Sequence, residues 1–180
     1  MKLIIINGPA GVGKTTIAKK LHSEMSFSYL LDLDEQRNFI SEWQSNRNNA
    51  RVLSCNIALA IAEQCFKKNV DFIIGKTMLD IILPGNDKNI LDLLVELGKK
   101  YQAEIYEIIL WADKQNVIDR ANKRGYKIKT HLNSDKVMEE WRDMKIFKEK
   151  RKNAILVDTN NLSSEKVLTK IKGIIKHGKS

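Results

Sequence analysis

The segment KLIII at residues 2–6 runs straight into NGPAGVGKTT at residues 7–16, and no other junction in the sequence limits the fold so tightly. An unbroken apolar run has no polar face to turn to water, so it reads as a strand buried on both sides. Gly8, Gly11 and Gly13 follow it. Glycine accepts backbone angles that other residues resist, which lets successive N–H groups turn toward one point. From Lys14 the spacing predicts a helix reaching about Met25. A helix N-terminus carries unpaired N–H groups and partial positive charge, so strand, glycine turn and helix start together make an anion cradle. They fit G-x-x-x-x-G-K-[ST] at Gly8, Gly13, Lys14 and Thr15, with the flanking strand and helix that this pattern requires.

The rest of the chain alternates between strand and helix patterns. Strands are expected over 27–34, 70–74, 103–111 and 154–158. Helices are expected over 35–43, 48–68, 88–101, 113–124, 134–152 and 163–176, the last two capped by Ser134 and Ser163. Residues 77–87 read as loop around Pro84-Gly85, and 126–133 carry no clear period. This order predicts an α/β fold of the P-loop NTPase kind, a five-stranded parallel sheet with helices on both faces. The 180 residues suit a single domain over 1–180, with a small helical lid over about 120–135. Ligands of such sheets bind at the carboxyl ends of the strands. Three polar clusters fall there, at 8–15, 32–37 and 75–80.

The cradle would be formed by Gly8, Pro9, Ala10, Gly11, Val12, Gly13, Lys14, Thr15 and Thr16, and the expected ligand is ATP with Mg²⁺. Lys14 would reach the β- and γ-phosphates, and the Thr15 hydroxyl would ligate the metal. No N-K-x-D motif for guanine is present. The chain is too small for a motor or a ring ATPase with an extra helical domain, and its size and strand count favour a kinase.

Two further clusters bear on where a phosphoryl group would go. In LLDLDEQR, Asp34 lies 20 residues after Lys14, and Arg37 lies one helical turn beyond Asp34. On a strand adjacent to the loop strand, Asp34 would stand beside the γ-phosphate and accept the proton of an attacking hydroxyl. Arg37 would hold an acceptor phosphate bidentately. The competing reading is an N-cap aspartate with a surface arginine. In DRANKRGYK, Arg120, Lys123 and Arg124 share one helix face, and Lys127 and Lys129 follow. On a lid, that face would neutralise charge on the transferring group and exclude water.

Together these motifs make the chain resemble the kinase domain of polynucleotide 5′-hydroxyl kinase. More broadly, it is similar to the small P-loop kinases that include zeta-toxin and chloramphenicol phosphotransferase. The resemblance spans most of the chain. It implies that Asp34 is the general base, that Arg37 binds the acceptor's phosphate, and that Arg120 and Arg124 are lid arginines on the ATP phosphates. It also implies that Asn160, in VDTNNLSSEKV, lies near the adenine. One departure is plain. The family carries an acid followed by threonine after the third strand, whereas this chain has Gly75 and Lys76 before Thr77. Asp32 or Asp80 would then have to help hold the metal shell, or Lys76 would contact a phosphate directly.

The formal net charge is +9, and residues 114–152 hold 13 Lys/Arg against 6 Asp/Glu. That stretch is either a solvated helical surface or an anion-binding flank. Cys55 and Cys65 fall in one expected helix, about 15 Å apart along its axis, and a disulfide needs under about 7 Å. They read as reduced thiols, and with no membrane-length apolar run and no secretory leader the expected location is the cytoplasm. His22, His131 and His177 are isolated and show no metal-ligand spacing. The expected activity is transfer of the γ-phosphoryl group of ATP to a hydroxyl of a nucleotide-like or small-molecule acceptor. A nucleic-acid 5′ end is among the candidates. The alternative is a nucleotide-binding module or ATPase with little kinase activity, which the missing acid motivates.

Overall fold

In a computed structural model, which describes residues 1–75, 83, 88–123 and 134–178, the leading apolar run forms β1 (Lys2–Asn7) at the centre of the sheet. Leu3 and Ile5 enter one hydrophobic cluster, and Ile4 and Ile6 enter another on the opposite face. Side chains alternate along a strand, so a strand covered on both faces must be apolar at every position.

β1 pairs in parallel with β3 (Asp71–Gly75) on one side and β4 (Glu104–Trp111) on the other. β2 (Ser28–Leu31) pairs with β3, and β5 (Ile155–Asp158) with β4, giving the order β2-β3-β1-β4-β5. α1 (Lys14–Glu24) and α7 (Ser164–His177) pack together over the face that carries Ile4 and Ile6. α3 (Arg47–Lys67) and α4 (Ile90–Lys100) pack together over the other face. α2 (Leu33–Arg37) lies against α3, and α5 (Lys114–Lys123) against α6 (Ser134–Lys150). The expected five-stranded parallel sheet with helices on both faces is what forms. Ser163 caps α7 as expected, accepting from the Lys166 N–H. Cys55 and Cys65 are buried free thiols on α3.

One expectation about order fails. Asp34 was expected at the end of a strand adjacent to β1, but β3 occupies that place and β2 is an edge strand. The helical crossover after β1 skips a position, and no local pattern records how many strands a crossover passes. Burial agrees with the observed order. Phe72, Ile73 and Ile74 of β3 are fully buried, while Tyr29 of β2 is 41% exposed and Phe27 beside it 74%.

α6 is fastened firmly to the sheet. The Trp141 indole N–H donates to the Ala112 carbonyl at 3.0 Å, and its ring lies 5.2 Å from that of Trp111. Arg151, just past α6, pairs bidentately with Glu107 of β4 at 2.8 and 2.9 Å and reaches Asp92 of α4 at 2.5 Å. Of the expected lid, residues 124–133 lie outside the described residues. Among the described residues, no helix is long and apolar enough to cross a membrane.

Candidate active site

The phosphate loop begins at Asn7, which is fully buried and whose Oδ1 accepts the Gly8 N–H at 2.8 Å. Gly8 has φ 146°, and a Cβ there would stand 2.4 Å from the Leu110 carbonyl oxygen, so β4 presses directly on the loop. Gly13, with φ 103°, is the N-cap of α1, and a Cβ added there would meet nothing within 4 Å. The loop therefore packs tightly against the sheet at its start and opens to free space at its end. That is the shape a phosphate cradle needs. Pro9, Ala10, Gly11 and Val12 are buried between these points, with the Val12 N–H donating to the Pro9 carbonyl at 3.4 Å. The Lys14 ammonium bends over the loop to the Pro9 carbonyl at 2.8 Å. Thr15 is exposed and Thr16 half-buried in the first turn of α1, which has no acidic residue to compete for an anion. These residues fit a triphosphate with a divalent cation.

The second cluster differs in detail from the sequence reading. Asp32, not Asp34, is the N-cap: its Oδ1 accepts the N–H groups of Asp34 at 2.9 Å and Glu35 at 3.3 Å. Asp32, the expected metal ligand, thus has one oxygen engaged in helix capping. Among the described residues no group of three or more His, Cys, Asp or Glu is arranged to hold a metal. Asp34 sits in the first turn of α2 with its carboxylate largely exposed and paired with the Arg37 guanidinium. Arg37 also donates to the Leu33 carbonyl at 3.3 Å and lies 5.3 Å from the Trp43 ring centre. Burial, and then the nearby Arg51, hold its pKa below the ordinary arginine value. Lys19 of α1 bridges to Glu35 at 2.7 Å, which ties this cluster to the helix that follows the phosphate loop. Arg51 and Trp43 were missed from sequence. Their signal is a run without acids, since no Asp or Glu occurs from Trp43 to Ala62.

The third cluster joins two expected residues. Arg120, half-buried on α5, donates to the Thr159 hydroxyl at 3.0 Å and to the carbonyls of Thr159 and Asn160 at 2.5 and 3.0 Å. Asn160 Oδ1 accepts the Asp113 N–H at 2.7 Å and the Asn116 amide at 3.0 Å. Arg120 and Asn160 are therefore brought together, and the contacts seen for Arg120 run to the end of β5. Thr159, buried at 2% exposure, went unnoticed because its role depends on strand order. Arg124, Lys127 and Lys129, and likewise Lys76, Thr77 and Asp80, lie outside the described residues. Gly75 has a packing reason to lack a side chain. A Cβ there would stand 2.9 Å from Ala18 Cβ of α1.

The sequence profile of the family described as AAA domain matches residues 4–142. A protein named "Putative adenylate kinase" from Pyrococcus abyssi (strain GE5 / Orsay) is 28% identical over 98% of this chain and 85% of its own length. The disease resistance protein RPS6 of Arabidopsis thaliana is 27% identical over 93% of this chain, which spans only 16% of that protein. Among solved structures, the tunicamycin resistance protein of Deinococcus radiodurans superposes with a TM-score of 0.65 at 16% identity, over 98% of this chain and 96% of that one. Deoxyadenosine kinase from M. mycoides with bound dCTP gives 0.59 at 14% identity, over 99% of this chain and 100% of that one. A chain of the Pnkp1/Rnl/Hen1 RNA repair complex gives 0.62 at 19% identity, over 83% of this chain and 45% of that one. At these identities the structural likeness speaks for the fold, which is that of the P-loop kinases.

Proposed function

The chain belongs to the AAA domain family, and we propose that it is an ATP-dependent kinase acting on a hydroxyl of a nucleotide-like or small-molecule acceptor. The observation that carries this reading is the open end of the glycine cradle at Gly13, with the Asp34–Arg37 pair tied to the same helix through Glu35 and Lys19. In that arrangement Lys14 and the loop N–H groups would hold the phosphates, and Thr15 would ligate Mg²⁺. The cation would offset the charge gathering on the transferred group. Asp34 would take the proton of the acceptor hydroxyl as its oxygen bonds to the γ-phosphorus and the bridge to the β-phosphate breaks. Arg37 orients that carboxylate and presents a guanidinium to any anionic group on the acceptor. Arg124 would supply further positive charge from the lid.

Two acceptor classes compete. The likeness to a chain of an RNA repair complex and the excess of positive charge in 114–152 favour a nucleic-acid 5′ end. The likeness to deoxyadenosine kinase favours a free small molecule. A second reading, nucleotide binding or hydrolysis without transfer, is favoured by Gly75 and Lys76, which stand before Thr77 where the resemblance implies an acid. The test is transfer of labelled γ-phosphate from ATP across nucleosides, nucleotides, sugars and oligonucleotide 5′ ends. The kinase reading expects transfer to one class, lost by about 10²-fold or more in Asp34→Asn while ATP binding persists. Release of phosphate to water alone, with every acceptor saturating, would select the second reading.

A further inference from the structure

Arg120 spends a full charge on neutral partners. The described donors of its guanidinium go to one hydroxyl and two adjacent backbone carbonyls, at Thr159 and Asn160. The neighbouring acids are engaged elsewhere: Asp119 accepts from Gln115 at 2.9 Å, and Asp158 accepts the Asn160 N–H at 2.8 Å. The same two-residue segment also grips the other end of the helix, since Asn160 Oδ1 accepts the Asp113 N–H just before α5 begins. Thr159 in turn is bonded to the Trp111 carbonyl through both its N–H, at 2.8 Å, and its hydroxyl, at 2.9 Å. The segment after β5 therefore brackets α5 just before its first residue and in its last turn.

What α5 touches gives the bracket its consequence. Gly11 of the phosphate loop lies under the α5 backbone. A Cβ there would be 2.9 Å from the Val117 carbonyl oxygen and 3.5 Å from the Ala121 nitrogen. Val117 and Ala121 are buried in the same cluster as Ala10 and Val12 of the loop. The α5 backbone is thus one wall of the loop, and the wall's position is set by Arg120 and Asn160.

We propose that Arg120 is a positioning residue: with Thr159 and Asn160 it latches α5 to β5 and so holds the phosphate loop at the curvature that receives a triphosphate. This assignment differs from direct contact with the phosphates, and it rests on the reading of the loop as an ATP site. The two roles separate on Thr159, which a phosphate ligand has no need of. The experiment compares the full-length wild type with Arg120→Lys, Thr159→Val and the double variant. It measures Mg·ATP affinity by calorimetry and amide hydrogen exchange without nucleotide. A lysine keeps a cation but cannot span two carbonyls and a hydroxyl at once. The latch therefore expects each single variant to weaken ATP binding by about tenfold, the scale of a charge-assisted hydrogen bond. The double variant should lose little more than either single one, because both break the same unit. Exchange should quicken at residues 8–13 and 113–121 in every variant. Unchanged exchange, or a silent Thr159→Val beside a weakened Arg120→Lys, would overturn the latch. Absence of ATP binding in the wild type would instead overturn the kinase reading, and exchange at 8–13 would still decide the latch.

Discussion

At Gly75 packing alone accounts for a missing side chain. α1 lies so close to the end of β3 that Ala18 Cβ would meet a new Cβ at 2.9 Å. Gly75→Ala should therefore destabilise the chain by about 1–3 kcal/mol, the usual cost of overpacking, read as a lower midpoint in urea unfolding. Adding Ala18→Gly should recover part of that loss; a recovery of nothing would show that the clash lies elsewhere. The strand, glycine turn and helix start around residues 7–16 were legible in sequence, because the glycines that shape the turn fall within ten consecutive residues. The capping residue was not. Asp32 and Asp34 both precede a polar stretch, and it is the burial of Leu33, at 3% exposure, with the N–H groups of Asp34 and Glu35 turned to Asp32 Oδ1, that makes Asp32 the cap. Thr159 and Arg51 escaped for a related reason: their partners are distant in sequence, and no spacing rule connects them.

The helices are held to the sheet by charge as well as by apolar contact. Glu107 is only 6% exposed on a central strand, and Arg151 neutralises it across two hydrogen bonds. The Glu107 carboxylate, and then Asp92, hold the Arg151 pKa far above its ordinary value, so the guanidinium stays charged. Arg151→Met would strand a buried carboxylate and should cost about 3–5 kcal/mol. Arg151→Met with Glu107→Gln should be markedly more stable than Arg151→Met alone by the same unfolding measurement. Between α7 and α1, the Lys20 ammonium and then the N-terminal hydrogen bonds of α7 lower the Glu165 pKa from 4.5 to about 2. A depressed carboxylate stabilises the fold above its unfolded pKa and loses that contribution as pH falls through its folded pKa. Glu165→Gln should therefore flatten the dependence of the urea midpoint on pH between 4.5 and about 2. An unaltered slope would show that this ion pair adds nothing. The helical periods were readable because each helix buries one face. Most of their ends moved by a residue or two, but the helix expected over 35–43 is observed as Leu33–Arg37 and the strand expected over 27–34 stops at Leu31, because Asp32 caps a helix where the strand was expected to continue.

Across the chain as a whole, five strands and their parallel sense followed from the alternation of strand and helix, but their order did not. β2 stands at the sheet edge with β3 between it and β1, so the Asp34–Arg37 cluster does not stand on a strand next to β1, and its described link to the helix after the phosphate loop is the Glu35–Lys19 ion pair. The net charge of +9 acts at the same scale. If the acceptor is a nucleic-acid end, its binding should fall steeply between about 50 and 200 mM salt, whereas a small uncharged acceptor should be nearly indifferent. Titration of the protein with Mg·ATP, alongside Lys14→Ala, tests the account most directly. Saturable heat in the wild type, weakened by about tenfold or more in the variant, is the predicted result. No heat in the wild type, or equal affinity without the lysine, would contradict it.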